Sequence, residues 1–250
     1  MADVQIIKCH TTESRMGRLV VTDERDKQYP LQAVLPKGDP GVSYKYWWPS
    51  GWWGDQGSTP QCVSYAWMHW IEDGPITHFY DHNDAPAEKP LHPPGELYDE
   101  AQLVDQWPGE DYAGTSVRAG AKVLHRYGLI GEYRWAWDID TLIQALLTKG
   151  PIVMGSFWYA DMIQPDHEGI IKIGGARVGG HAYLLNGVNL DRGIVRIKNS
   201  WGRGWGKDGY AYISIDEVER LLIDYGEACM ATEKKLSPAD TDPDPRTTKL

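Results

Sequence analysis

Phenylalanine is nearly missing from this 250-residue chain, with 2 residues against 12 tryptophans and 14 tyrosines. Cysteine is sparse and odd in number. Cys9, Cys62 and Cys229 cannot all pair, which excludes a dense disulfide scaffold and fits a reducing compartment. One bridge, Cys9 to Cys229, stays open on this count. Basic charge is short. A formal net charge of −10 argues against a nucleic-acid binder, which would carry a basic face. No apolar run is long enough to span a membrane as a helix. The opening "MADVQIIKCHTTESR" lacks the basic-then-apolar order of a signal peptide, so a cytoplasmic location is expected. Nucleophile-elbow and HGGG-like elements of serine hydrolases are absent, and no internal repeat is visible.

What is present suffices for one large domain or two small lobes, with 42% hydrophobic residues. Residues 4–35 read as short strands, and "KGDPGVSYKYWWPSGWWGDQG" as an ordered Gly/Pro/Trp-rich loop. Trp47, Trp48, Trp52 and Trp53 in that loop suit packing between lobes, with a partner-docking face as the functional alternative. Apolar residues at helical spacing predict helices near residues 60–73, in "LYDEAQLVD", in "AGTSVRAGAKVLHRYG" and in "DIDTLIQALLTKG". Strand-like runs follow: "PIVMGSFW", "HAYLLNGVNL", "GIVRIKNS" and "YAYISI", with a short helix at "DEVERLLI" and a last strand near "GEACMAT". Helices first and strands second predict an α+β fold with two lobes. The divisions expected are 1–42, strands packing on the β lobe; 43–135, a helical lobe; 136–232, an antiparallel β lobe; and 233–250, a disordered tail.

Cys62 stands in "DQGSTPQCVSYAWMHW", just after a turn and before an apolar stripe. Either Thr59 caps the helix with Pro60 at its first position, or Ser58 and Gln61 form a capping box. Both registers put Cys62 in the first turn, where unpaired amides and the helix dipole favour an anion. A thiolate is the nucleophilic form of cysteine, so this placement predicts a depressed pKa. A packing role is the bland alternative. A thiol nucleophile also needs a base, a group that orients the base, and oxyanion donors. His181 in "VGGHAYLLNGVN", Asn199 in "IVRIKNSWGRGWGKDGY" and Gln56 supply one candidate for each. Taken singly, His181 reads equally as a structural histidine, Asn199 as a turn residue and Gln56 as a solvated one. Their order and contexts together carry the case. The pair His78 and His82 in "HFYDH" has no evident third metal ligand, and "GGARVGG" does not sit between a strand and a helix as a phosphate loop requires. No cofactor is expected.

Three blocks, "DQGSTPQCVSYA", "GGHAYLLNGVN" and "IKNSWGRGWGKDGYAYIS", resemble the signature blocks of the papain-like cysteine peptidases. The resemblance spans roughly residues 43–232 and is loose between the blocks. His181 and Asn199 follow Cys62 by 119 and 137 residues, slightly compressed against the family's about 130–150. It implies a two-lobe fold with a cleft, peptide or protein substrates, and a thiolate–imidazolium pair. Cys62 would be the nucleophile and His181 the base. Asn199 would orient the imidazole, Gln56 would be the oxyanion donor, and Trp201 would shield the Asn199–His181 bond. Gly114 and Thr115 would meet the substrate backbone. Ser116, Val117, Gly155 and Ala182 would wall the pocket for the residue two before the scissile bond.

The chain departs from the family pattern in several places. Thr59 replaces a cysteine that normally makes a disulfide. Pro60 replaces glycine, and Thr115 stands where many members have glycine. About 55 residues precede Gln56 and read as strands and loop rather than the family's helical propeptide, so the protein is expected to be active as made. These features are similar to bacterial or phage-encoded members. The pocket walls predict a preference for bulky apolar residues, with an acidic Glu227 near the floor, admitting arginine, as the alternative. A virion, tail or assembly protein that uses the fold for partner binding is the alternative function.

Overall fold

The computed structural model describes residues 4–7, 10–47, 52–74, 93–105 and 112–233. The histidines His78 and His82, Trp48 and residues 234–250 lie outside them. The chain opens with a two-stranded antiparallel ribbon, β1 (Val4–Ile7) on β2 (Val20–Asp23). Three helices follow a short strand β3 (Tyr44–Tyr46): α1 (Cys62–Asp73), α2 (Pro94–Val104) and α3 (Val117–Arg126). Then come β4 (Ile130–Ala136), α4 (Ile139–Thr148), β5 (Ile152–Tyr159), β6 (Arg177–Asn189), β7 (Ile194–Lys198), β8 (Tyr210–Ser214), α5 (Ile215–Ile223) and β9 (Glu227–Glu233). The strands other than β1 and β2 form a seven-stranded antiparallel sheet in the order β4-β9-β5-β6-β7-β8, with β3 on the end of β6.

Alternation along the central strands sorts side chains between two cores, because successive residues of a strand point to opposite faces. Val153, Ala182, Leu184 and Cys229 face α1 and α3, among Val63, Trp67 and Val123. Ile152, Met154, Tyr183 and Leu185 face the other way, toward α4, α5 and the tryptophans Trp158, Trp201 and Trp205. The α+β expectation therefore holds, with the helices split over both faces of one sheet. Serine and aspartate caps set three of the helix starts: Ser116 accepts from Ala119 N, Asp138 from Thr141 N and Ser214 from Glu217 N.

Several local expectations are corrected. Residues 31–34 form a short 3-10 turn instead of a strand; residues 24–28, in the run "TDERDKQ" that reads as a polar turn, form another, with Asp23 accepting from Arg25 N. β4 was not foreseen and pairs with β9 across about a hundred residues, with a bulge between Ile130 and Glu132. It and β3 lie inside the stretch expected to form the helical lobe. The two thiols described, Cys62 and Cys229, are free and buried, so the bridge from Cys229 left open by the cysteine count does not form. The three described tryptophans of the loop, Trp47, Trp52 and Trp53, contact the rest of the fold. Trp47 Nε1 donates to Leu146 O at 2.9 Å, Trp52 stacks on Tyr65, and Trp53 meets Tyr210 edge-on at 4.4 Å.

Candidate active site

α1 begins at Cys62, with Gln61 as its N-cap, and neither proposed side-chain cap forms. The hydroxyl of Thr59 is used elsewhere. It donates to Gln56 O at 2.6 Å, while Gln56 Nε2 donates back to Thr59 O at 2.6 Å. Gly57 turns the chain at φ +57°. This closed turn is bolted to the segment after β7: Gln56 N donates to Ser200 O at 2.9 Å, and Ser200 Oγ donates to Gln56 Oε1 at 2.6 Å. The amide of Gln56 is thus oriented oxygen toward Ser200 and nitrogen toward the cleft.

His181 sits on β6 opposite Ser156 of β5. Its Nε2 lies 2.8 Å from Asn199 Oδ1, which also accepts from Ser200 N at 2.8 Å. An oxygen that already takes one N–H selects the Nε2–H tautomer, leaving Nδ1 with the lone pair. Nδ1 has no hydrogen-bond partner among the described residues. The Cys62 sulfur is fully buried, with the backbone amides of Ala182, Gly17 and Val63 near enough to favour its anion. Trp201 covers His181 with a ring separation of 4.9 Å, as expected for the shield. Trp158 contributes a second aromatic wall at 4.9 Å, which nothing in its local sequence signalled.

The expected thiolate–imidazolium pair is not the state of this conformation. Burial pushes the Cys62 thiol up to about 11 despite the amides around it, and burial lowers His181 to about 4 despite its bond to Asn199. Both residues are 0% exposed. Desolvation outweighs the helix start because charge removed from water costs more than one helix dipole returns.

One pH dependence follows from this. Between pH 6.5 and about 4 the unfolded chain binds a proton at His181 that the folded chain refuses, so acidification favours unfolding. The urea-unfolding free energy should fall by about 2 kcal/mol more from pH 7 to 5 in wild type than in His181→Gln. Equal losses in the two proteins would show that His181 is not held neutral by burial.

The pocket residues also come together. A Cβ on Gly155 would stand 2.9 Å from Val117 and 3.1 Å from Glu227 Oε1, so Gly155, Val117 and Glu227 line one space. Ala182 pairs with Gly155 across β5 and β6. Ser116 lies at the edge, but its hydroxyl is spent capping α3. Gly114 and Thr115 pass alongside, with Gly114 at φ +103° and the Thr115 hydroxyl on Asp105. Glu227, the acidic alternative for the pocket floor, is placed by β9 opposite Gly155 and brings a carboxylate to these uncharged walls. The space is filled by Arg18, whose Nε donates to Glu227 Oε1 at 3.0 Å and whose second guanidinium nitrogen donates to Tyr225 O at 2.7 Å. Sequence reading missed Arg18, Tyr225 and Ser200. Ser200 alone had a signal, its place in "KNSW". Among the described residues, no group of three or more His, Cys, Asp or Glu is arranged to hold a metal ion.

Comparison with known proteins agrees with this arrangement. The papain family cysteine protease profile matches residues 112–236, which include His181 and Asn199. The chain is 28% identical over 165 residues to cathepsin B-like cysteine proteinase 6 of Caenorhabditis elegans, covering 61% of this chain and 43% of that protein. It is 33% identical over 100 residues to a cathepsin B-like protein of Giardia intestinalis, covering 38% of this chain and 33% of that one. The matched regions thus span less than half the length of these curated relatives. Among solved structures, xylellain, a cysteine protease from Xylella fastidiosa, superposes with a TM-score of 0.70 at 20% identity, covering 92% of this chain and all of that one. Bromelain from Ananas comosus does so with 0.55 at 14% identity, covering 77% of this chain and all of that one. These likenesses establish a shared fold. With the profile running across half its length and a histidine–asparagine pair set beside the cysteine at a helix start, the chain belongs to the papain family of cysteine proteases.

Proposed function

We propose that this protein hydrolyses peptide bonds through a thioester on Cys62. The Cys62 sulfur attacks the substrate carbonyl carbon, and its proton passes to His181 Nδ1. The resulting oxyanion takes hydrogen bonds from Gln56 Nε2 and a backbone N–H at the start of α1. As the tetrahedral intermediate collapses, His181 gives that proton to the leaving amine, and the acyl group stays on sulfur. Water, deprotonated by His181, then releases the acid and regenerates the thiol. Asn199 keeps Nδ1 turned toward the sulfur throughout. The observation that carries this reading is the 2.8 Å His181–Asn199 bond, which leaves Nδ1 without a partner among the described residues.

The substrate preference follows from Glu227. Burial raises its pKa while Arg18 opposes the rise, so its carboxylate is stabilised by a cation in the pocket. Arginine two residues before the scissile bond suits that carboxylate, and Arg18 demonstrates that the side chain fits. A peptide-amide library varied at this position tests both function and preference. Cleavage is expected to favour arginine. Glu227→Gln is expected to cut arginine cleavage by about 30-fold or more, in line with losing one partner of a buried charge pair, and to change leucine cleavage far less. No hydrolysis of any library member would remove the peptidase reading. Arginine preference that survives Glu227→Gln would remove the pocket assignment.

A further inference from the structure

α3 carries a basic row. Arg118, Lys122 and His125 are four and three residues apart, so they share one face of the helix. That face meets the turn at residues 24–28 and the start of β4, and a cavity of about 400 Å³ remains between them.

The inner end of the row is satisfied. Arg118 is 6% exposed, and its guanidinium donates to Asp23 Oδ2 at 2.8 Å and to Asp26 Oδ2. Arg25 also donates to Asp23, and the third carboxylate of the lining, Glu132, is taken by Arg134 at 2.9 Å. Even so, the Arg118 Nε has no partner among the described residues.

The outer end is not satisfied. Lys122 lines the cavity, is partly buried, and makes no ion pair among the described residues. Burial and the charges of Arg118 and Arg25 pull its pKa below the ordinary lysine value, against the opposing pull of Asp23 and Asp26. Three cations, Arg25, Arg118 and Lys122, thus face two carboxylates, and one positive charge is left over. His125 stands exposed at the rim. Tyr29, 52% exposed, and Tyr133 set aromatic rings on the same space. The cavity is distinct from the substrate pocket. Val117 borders Gly155, whereas Arg118, the next residue, turns to Asp23 and Asp26.

We propose that this cavity is a second binding site, which takes a small organic anion. One carboxylate is received by Lys122, and an aromatic or apolar body rests against Tyr29 and Tyr133. The volume falls within the range of small-molecule sites, about 300–1,000 Å³. One uncompensated cation calls for one negative charge, and a second would be repelled by Asp26 and Glu132. The exposed tyrosine ring gives the body of the ligand a flat surface on which to leave water. The site stands apart from the peptidase reading, because no group of the cleft takes part in it.

The probe is phenylpropionate, titrated into nitrogen-15-labelled protein and followed by backbone amide shifts. Phenylpropanol is its neutral match, and inorganic phosphate is an anion without a body. Wild type is compared with Lys122→Gln, Lys122→Arg and Tyr29→Ala, each confirmed as folded by thermal melting. The acid is expected to bind with a Kd on the order of 1 mM and to shift amides of α3 and of residues 24–29. The alcohol and Lys122→Gln are each expected to weaken binding by about tenfold or more, Tyr29→Ala to weaken it severalfold, and Lys122→Arg to retain it.

An absence of shifts up to about 20 mM acid, shifts confined to the surroundings of Cys62, or unchanged affinity in folded Lys122→Gln would overturn the site. Equal binding of the alcohol would overturn the role of the negative charge. Inorganic phosphate binding as tightly as the acid, or unchanged affinity in Tyr29→Ala, would overturn the role of the aromatic body.

Discussion

Cys62→Ala is expected to lower the turnover of peptide amides by about 10⁴-fold or more. The sulfur is the single nucleophile the arrangement offers, and the amides around it have no function in hydrolysis without it. His181→Ala should cost about as much, and the double variant little more than either, because nucleophile and base act as one unit. Asn199→Ala should cost less. The imidazole would keep its aromatic walls, Trp158 and Trp201, and lose only the acceptor that holds Nε2–H. Steady-state kinetics on purified variants decide the matter. Hydrolysis in Cys62→Ala at more than about a hundredth of the wild-type rate would mean that another group attacks the carbonyl.

The second large effect is on stability. Lys198→Met is expected to destabilise the fold by about 3–5 kcal/mol, which for a chain of this length lowers the melting temperature by roughly 10 °C. Lys198 Nζ and Asp73 Oδ1 are 2.7 Å apart, and both side chains are 0% exposed. Asp73 also accepts from Asn186 Nδ2 at 2.9 Å, and the ammonium lies 4.8 Å from the Trp53 ring. The pair ties the last residue of α1 to the last residue of β7. Cys62 opens that helix and Asn199 follows that strand, so the pair sets the distance between the two halves of the site. Removing the lysine strands a carboxylate in an apolar surround. Adding Asp73→Asn to Lys198→Met should restore much of the loss, since it removes the unpaired charge and keeps an acceptor for Asn186. Differential scanning calorimetry measures both variants. A melting temperature for Lys198→Met within about 2 °C of wild type would show that Asp73 is hydrated or protonated at little cost.

Much of the site was legible because the features that carry it are short-range. A turn followed by an apolar stripe puts Cys62 at a helix start, and one helical turn of sequence is enough to see it. The "KNSWGRGWG" run marks the end of β7, while the two glycines before His181, which read as a strand start, lie inside β6. Gly155 and Ala182 were put on one wall by the family resemblance alone, and they pair across β5 and β6. The helices carry their own spacing, and the boundaries read from it differ from the observed ones by only a few residues.

What the tertiary structure decided is the state of those groups. The helix start predicted an acidic thiol, and the folded chain buries a neutral one, because desolvation depends on what covers the sulfur. The cover is Gly17, 45 residues earlier and unremarkable in its own sequence. The pocket walls were expected to be uncharged, with an acidic floor at Glu227 as the alternative. Glu227 enters it through β9 and meets Arg18 across 209 residues. Nothing local to "MGRLV" or "GEACM" records that meeting. Lys198 and Asp73 pair across 125 residues, and nothing local to either marks the meeting. Residue type and spacing act through the backbone over a few residues and so are written in the sequence. Dielectric, pairing of charges and access to solvent arise only when distant segments close over one another.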